Sequence, residues 1–110
     1  MTLNTLYETY HNCYLTVDRY VKDGTPAIGI WNDEGPVAML TVCLGKGREG
    51  GNESFVDTNN LSGAMEFINM YGLGRRTGIS ARSGFCVYPL VDFDMAEVMK
   101  HTEPQAVGAT

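Results

Sequence analysis

Five residues carry side chains that bind zinc or attack electrophiles: His11, Cys13, Cys43, Cys86 and His101. A zinc site needs four ligands converging on a tetrahedron, and a closely spaced cysteine pair usually nucleates it. The chain has no such pair, so His11, Cys13, Cys43 and Cys86 are metal candidates only if the fold gathers them. Nucleophilic chemistry at a cysteine needs a neighbour that lowers its pKa. Cys86 has no activator near it in sequence. Cys13 has His11 two positions away. Cys43 and Cys86 stand among strand-like apolar residues, where a free cysteine behaves as a small hydrophobe.

Two further patterns invite chemistry. The stretch GKGREGG (45–51) suggests a phosphate loop. That motif requires Gly-Lys-Ser/Thr running into a helix, and here the lysine comes early and no helix follows. A glycine-rich hairpin loop is the plainer reading. Asp92 and Asp94 would share a face if extended and could act as paired carboxylates. Their position ahead of a helical pattern suits capping and solvation instead. No nucleophile–base or metal spacing stands out. The expectation is therefore a protein that is not an enzyme and uses no cofactor.

Charge is more informative. Arg75, Arg76 and Arg82 lie in a stretch, 72–91, without a single acid. Together they could clamp a phosphate or an acidic surface. Asp92, Asp94, Glu97 and Glu103 then follow against Lys100. Other acids sit at expected turns and strand ends: Asp23, Asp33, Glu34, Glu49, Glu53 and Asp57. The candidate partner-binding residues are Asp33, Glu34, Glu49, Glu53, Asp57, Arg75, Arg76, Arg82, Asp92 and Asp94. Six tyrosines add half-buried sheet residues or interface anchors.

These residues need elements to hold them. Residues 13–21 alternate with period two and read as a half-buried strand. Lys22-Asp23-Gly24 reads as a turn, 27–31 as a second strand, and Asn32-Asp33-Glu34-Gly35 as a tight turn. Residues 37–44 are almost continuously apolar, which predicts a central strand covered on both faces. The short connections make this an antiparallel meander. Residues 45–52 read as a loop and 53–57 as a short strand.

A helix follows, capped by Asn59 or Asn60. Leu61, Ala64, Met65 and Ile68 recur at helical spacing, and Gly72 ends it. Residues 74–83 read as a polar loop. Residues 85–91 read as a strand that Pro89 confines to an edge or shortens. Asp92 would cap a last short helix over 95–101. The first dozen residues lean helical through Leu3, Leu6, Tyr7 and Tyr10. The predicted fold class is α+β: an antiparallel sheet of about four to five strands, one main helix packed on a face, and a short C-terminal helix. Residues 1–101 form the predicted single domain, and 102–110 read as a disordered tail.

The size and charge fit this. The chain has 110 residues, with eight Lys plus Arg against thirteen acids and a net charge of −5. That length suits one domain with one core. The longest apolar run, 36–44, is far short of the roughly 20 residues that span a bilayer, so no membrane association is expected. No leader-like start is visible, and an odd cysteine count argues against a secreted disulfide framework, which points to the cytoplasm. A net negative chain disfavours direct nucleic-acid binding and permits a basic protein partner.

One resemblance adds a setting. FVDTNN (55–60), a helix, GLGRRTG (72–78) and SGFCVYPLVDFD (83–94), preceded by GTPAIGIWNDEGPVAMLTV (24–42), make the chain similar to small uncharacterised accessory proteins. Plasmids, conjugative elements and phages of gut Firmicutes carry these proteins, and the likeness covers roughly 13–94. The resemblance implies a mobile-element protein that disables a host defence complex. An anti-CRISPR protein acting on a Cas9-type nuclease or its guide complex, as a monomer or homodimer, is the leading expectation. The alternatives are a small nucleic-acid-associated accessory protein using the arginines, or a small zinc-binding structural protein.

Overall fold

A computed structural model describes residues 1–45 and 51–102. The expected contributions of Glu49 and Glu103, most of the glycine-rich loop and nearly all of the expected tail lie outside the described residues. Among those described, the chain is mainly antiparallel β-sheet with two short helices. Three sheets share the strands, where the sequence suggests one.

The first sheet is a small hairpin of β1 (Leu3–Asn4) and β2 (Thr9–Tyr10), with Leu3 opposite Tyr10. The helical lean of this segment is thus wrong. Leu3 is wholly buried while Leu6 and Tyr7 are exposed at the hairpin end, so the apolar residues do not share one helical face.

The meander is present. β3 (Tyr14–Arg19) pairs with β4 (Pro26–Asn32), and β4 pairs with β5 (Gly35–Met39), all antiparallel. Leu15, Ile28 and Ile30 point into the core with no exposure. Burying each such side chain contributes about 1.5–3 kcal/mol.

The expected third strand breaks in two. β5 ends at Met39, and β6 (Thr41–Val42) joins a different sheet, where it pairs with β7 (Glu53–Val56). Leu40 is the joint. Its N–H donates to the Ile28 carbonyl at 2.9 Å, and its own carbonyl accepts the Asp57 N–H at 3.0 Å. Both halves are outer strands, not a covered central one. The run reads as continuously apolar because its two halves serve two sheets.

The third sheet has the order β6-β7-β9-β8, with β8 (Gly74–Ser83) and β9 (Cys86–Phe93) forming its largest hairpin. Residues 74–83 are therefore a strand, not a loop. Pro89 lies in an inner strand yet avoids the ladder's needs. Its pairing with β8 is at Ser80, directly past a register slip, and β7 pairing stops at Leu90.

Helix α1 (Ala64–Tyr71) buries Ala64, Met65, Phe67 and Ile68. It starts at Gly63, not at Asn59 or Asn60, because Asp57 holds Asn60 through its backbone N–H and Nδ2, both at 3.1 Å. Gly63 has φ +82, and an added Cβ would overlap the Asn4 carbonyl oxygen. The helix thus enters against the N-terminal hairpin. Gly72, at φ +64, ends it in the left-handed conformation as expected. Helix α2 (Met95–Met99) is capped by Asp94, whose Oδ1 accepts the Glu97 N–H at 3.1 Å. Asp92 is instead a β9 residue. Side chains from two sheets, the N-terminal hairpin and both helices form one main core, and Phe55, Tyr88 and Leu90 form a second cluster on the four-stranded sheet.

Candidate functional site

The arginines sit on β8, which among the described residues pairs only with β9. Arg75 is opposite Asp92, Arg76 opposite Val91 and Arg82 opposite Val87. Alternation along β9 puts Asp92 on one face and Val87 and Val91 on the other. Arg75 therefore faces away from Arg76 and Arg82, and the three do not close into one clamp. Between Arg76 and Ser80, four steps of β8 match two of β9. Thr77 closes this bulge: its hydroxyl donates to the Leu90 carbonyl and accepts the Ile79 N–H, each at 3.1 Å.

Where β8 begins, a cleft of about 410 Å³ is lined by Gly72, Gly74, Arg75, Asp92, Phe93 and Asp94. It gathers three of the expected partner-binding residues. Glu53 of β7 lies opposite Asp92 on the far side, so Glu53, Asp92 and Arg75 form one charged row across three strands. On the other face, Arg76 shares a smaller cleft with Glu66 at the start of α1.

The remaining acids divide. Asp33 and Glu34 form the exposed turn between β4 and β5. With Glu8 and His11 they line a separate cleft of about 370 Å³. Asp57 is not a free surface acid, since its carboxylate is engaged by Asn60.

The metal candidates stay apart. Among the described residues no three His, Cys, Asp or Glu side chains gather as a cation site. Cys13 is buried and donates to the Tyr10 carbonyl at 3.4 Å; burial pushes its thiol pKa up. Cys43 reaches Asp23 Oδ2 at 3.8 Å, and Cys86 packs beside the second cluster. His11 is exposed, while His101 lies 3.5 Å from Glu97 Oε2 and near the Tyr71 ring.

The arm also has an apolar side, which no sequence pattern announces. Phe85, in the β8–β9 turn, is 103% exposed; Ile79 and Val87 are about half exposed. In the sequence, Gly84 is a local turn signal beside Phe85, just ahead of the β-forming run 86–91. The apolar run reads as strand from Phe85 onward, which hides the ring's place in the turn.

Together these features define a small, mainly antiparallel β protein with an exposed, arginine-bearing hairpin arm. The chain belongs to the family described as domain of unknown function DUF4313, whose model matches residues 14–107. No curated protein and no solved structure matches the chain. No described helix is long and apolar enough to cross a membrane.

Proposed function

We propose that the protein acts by binding another protein rather than by catalysis, with the β8–β9 arm as its main contact surface. Phe85 carries this reading. A large aromatic held wholly in water at a hairpin turn has no packing role in the fold, and aromatics dominate binding energy at interfaces. Ile79 and Val87 extend the apolar surface along the arm, and the arginines edge it with charge.

The resemblance to mobile-element accessory proteins supports a specific target: a bacterial defence nuclease of the Cas9 type. Such enzymes hold guide and target strands in Lys/Arg channels. A net charge of −5 suits that partner, as does the cleft where Glu8, Asp33 and Glu34 meet. The test is co-elution of the purified protein with a Cas9–guide complex, together with the rate of target cleavage. Co-elution that weakens as salt rises, with slowed cleavage, is expected. Normal cleavage without co-elution removes this target.

A second reading has one observation behind it. Arg76 and Arg82 share an exposed face of β8, where they could contact phosphates. Electrophoretic shifts with single- and double-stranded nucleic acids discriminate the two. A salt-sensitive shift lost in Arg76→Ala/Arg82→Ala would place the accessory nucleic-acid role first.

A further inference from the structure

Resting on the protein-binding reading of the arm, we infer that the outer edge of β8 accepts an extended acidic segment of the partner as an added strand. β8 ends its sheet, and alternate residues of an outer strand direct N–H and C=O groups away from the sheet. The opposite outer strand, β6, has only two residues and offers little edge. β8 has ten, and most are exposed.

Outer strands are commonly blunted by bulges, and β8 has one, but it is confined to the middle. There the Thr77 hydroxyl bridges the Ile79 N–H and the Leu90 carbonyl. Beyond it, residues 80–83 pair with β9 in unbroken register. That stretch gives about 13 Å of regular edge, ending beside Phe85.

Charge selects the occupant. Arg75, Arg76 and Arg82 are exposed on β8, and no acid occurs from 67 to 91. A second copy pairing antiparallel over 80–83 about Arg82 would set the two Arg82 side chains directly opposite each other. Like charges directly opposite across strands are destabilising, and opposite charges are favourable. That register is disfavoured between copies, and the edge suits a strand with Glu or Asp on the Arg82 face, which Arg76 shares beyond the bulge. The apolar residues at alternating positions of such a segment fall on the Ala81 face, beside the Phe55–Tyr88–Leu90 cluster, in the manner of strand addition.

The experiment titrates the full chain with a short peptide of alternating Glu and Val, against its Lys–Val counterpart. Backbone amide shifts and hydrogen exchange are followed by NMR. The expected result is saturable binding of the acidic peptide, with amides within 80–83 becoming protected. Its affinity should exceed that of the basic peptide by about tenfold or more. Arg76→Glu/Arg82→Glu should reverse the preference, and Arg76→Glu alone should lower acidic-peptide affinity by a smaller factor.

Three results overturn the inference: no protection in 80–83 up to millimolar peptide, equal binding of both peptides, or displacement of the acidic peptide by a single-stranded oligonucleotide. Failure of the arm reading itself has a different signature. Phe85→Ala would then leave capture of the partner protein unchanged, whatever the peptides do at the edge.

Discussion

The Tyr20 hydroxyl lies 2.9 Å from Thr41 Oγ1, and that same oxygen accepts the Ile28 N–H at 3.0 Å. Tyr20 follows β3, Ile28 is in β4, and Thr41 begins β6, so one buried hydroxyl joins the meander to the four-stranded sheet. A valine in place of Thr41 keeps the shape and leaves a buried N–H without its acceptor. Thr41→Val should cost about 1–3 kcal/mol in urea denaturation, whereas Thr41→Ser should retain most of the stability.

The same contact carries a pH dependence. Burial raises the Tyr20 phenol above its ordinary pKa, and the Thr41 hydrogen bond offsets only part of that rise. The unfolded chain loses this proton first. Its contribution to stability is therefore fully present below the ordinary tyrosine value of about 10 and is lost as pH rises beyond it. Denaturation midpoints measured from neutral pH into that range should fall more steeply for the native chain than for Tyr20→Phe.

Gly63 and Gly72 both hold positive φ, but their surroundings differ. Nothing lies within 4 Å of the Cβ that alanine would add at Gly72. Gly72→Ala should cost about 1–2 kcal/mol, the price of a left-handed alanine alone. Gly63→Ala must also displace Asn4, so thermal unfolding should show a loss at least about twofold larger, with disturbance spreading to the β1–β2 hairpin.

Phe85→Ala should separate folding from binding. The ring is fully in water, so stability should change by no more than about 0.5 kcal/mol. Partner capture should weaken by about 2 kcal/mol, roughly thirtyfold, as judged by titration of the captured complex.

Thiol reactivity reports burial at three separate positions. Cys13 is buried with a raised pKa, while Cys43 and Cys86 are partly accessible. A thiol reagent at neutral pH should label Cys43 and Cys86 in the folded protein and reach Cys13 only after denaturation. Rapid labelling of Cys13 would show that the N-terminal segment opens readily.

Much of the meander was legible because β3 and β4 each bury one face, and alternation records that directly. The end of α1 was legible at Gly72, since a left-handed C-cap is a local demand. Strand β8 was not. An outer strand exposed on most of its surface has no reason to alternate, and GRRTGISARS has the composition of a loop. Its state depends on pairing with β9, which no local pattern encodes. The arginines are plain in the sequence, but their division between two faces follows from register alone. Likewise, nothing in a continuous apolar run reveals that it changes sheets at Leu40.

That joint has a mechanical meaning. A chain that leaves one sheet and enters another through a single residue, with a hydrogen bond to each, works like a shared hinge pin. Neither sheet can peel away without withdrawing the pin from the other. The amides of Leu40 and Asp57 should accordingly exchange with solvent only when the whole body opens, with matching opening free energies and a single cooperative melt.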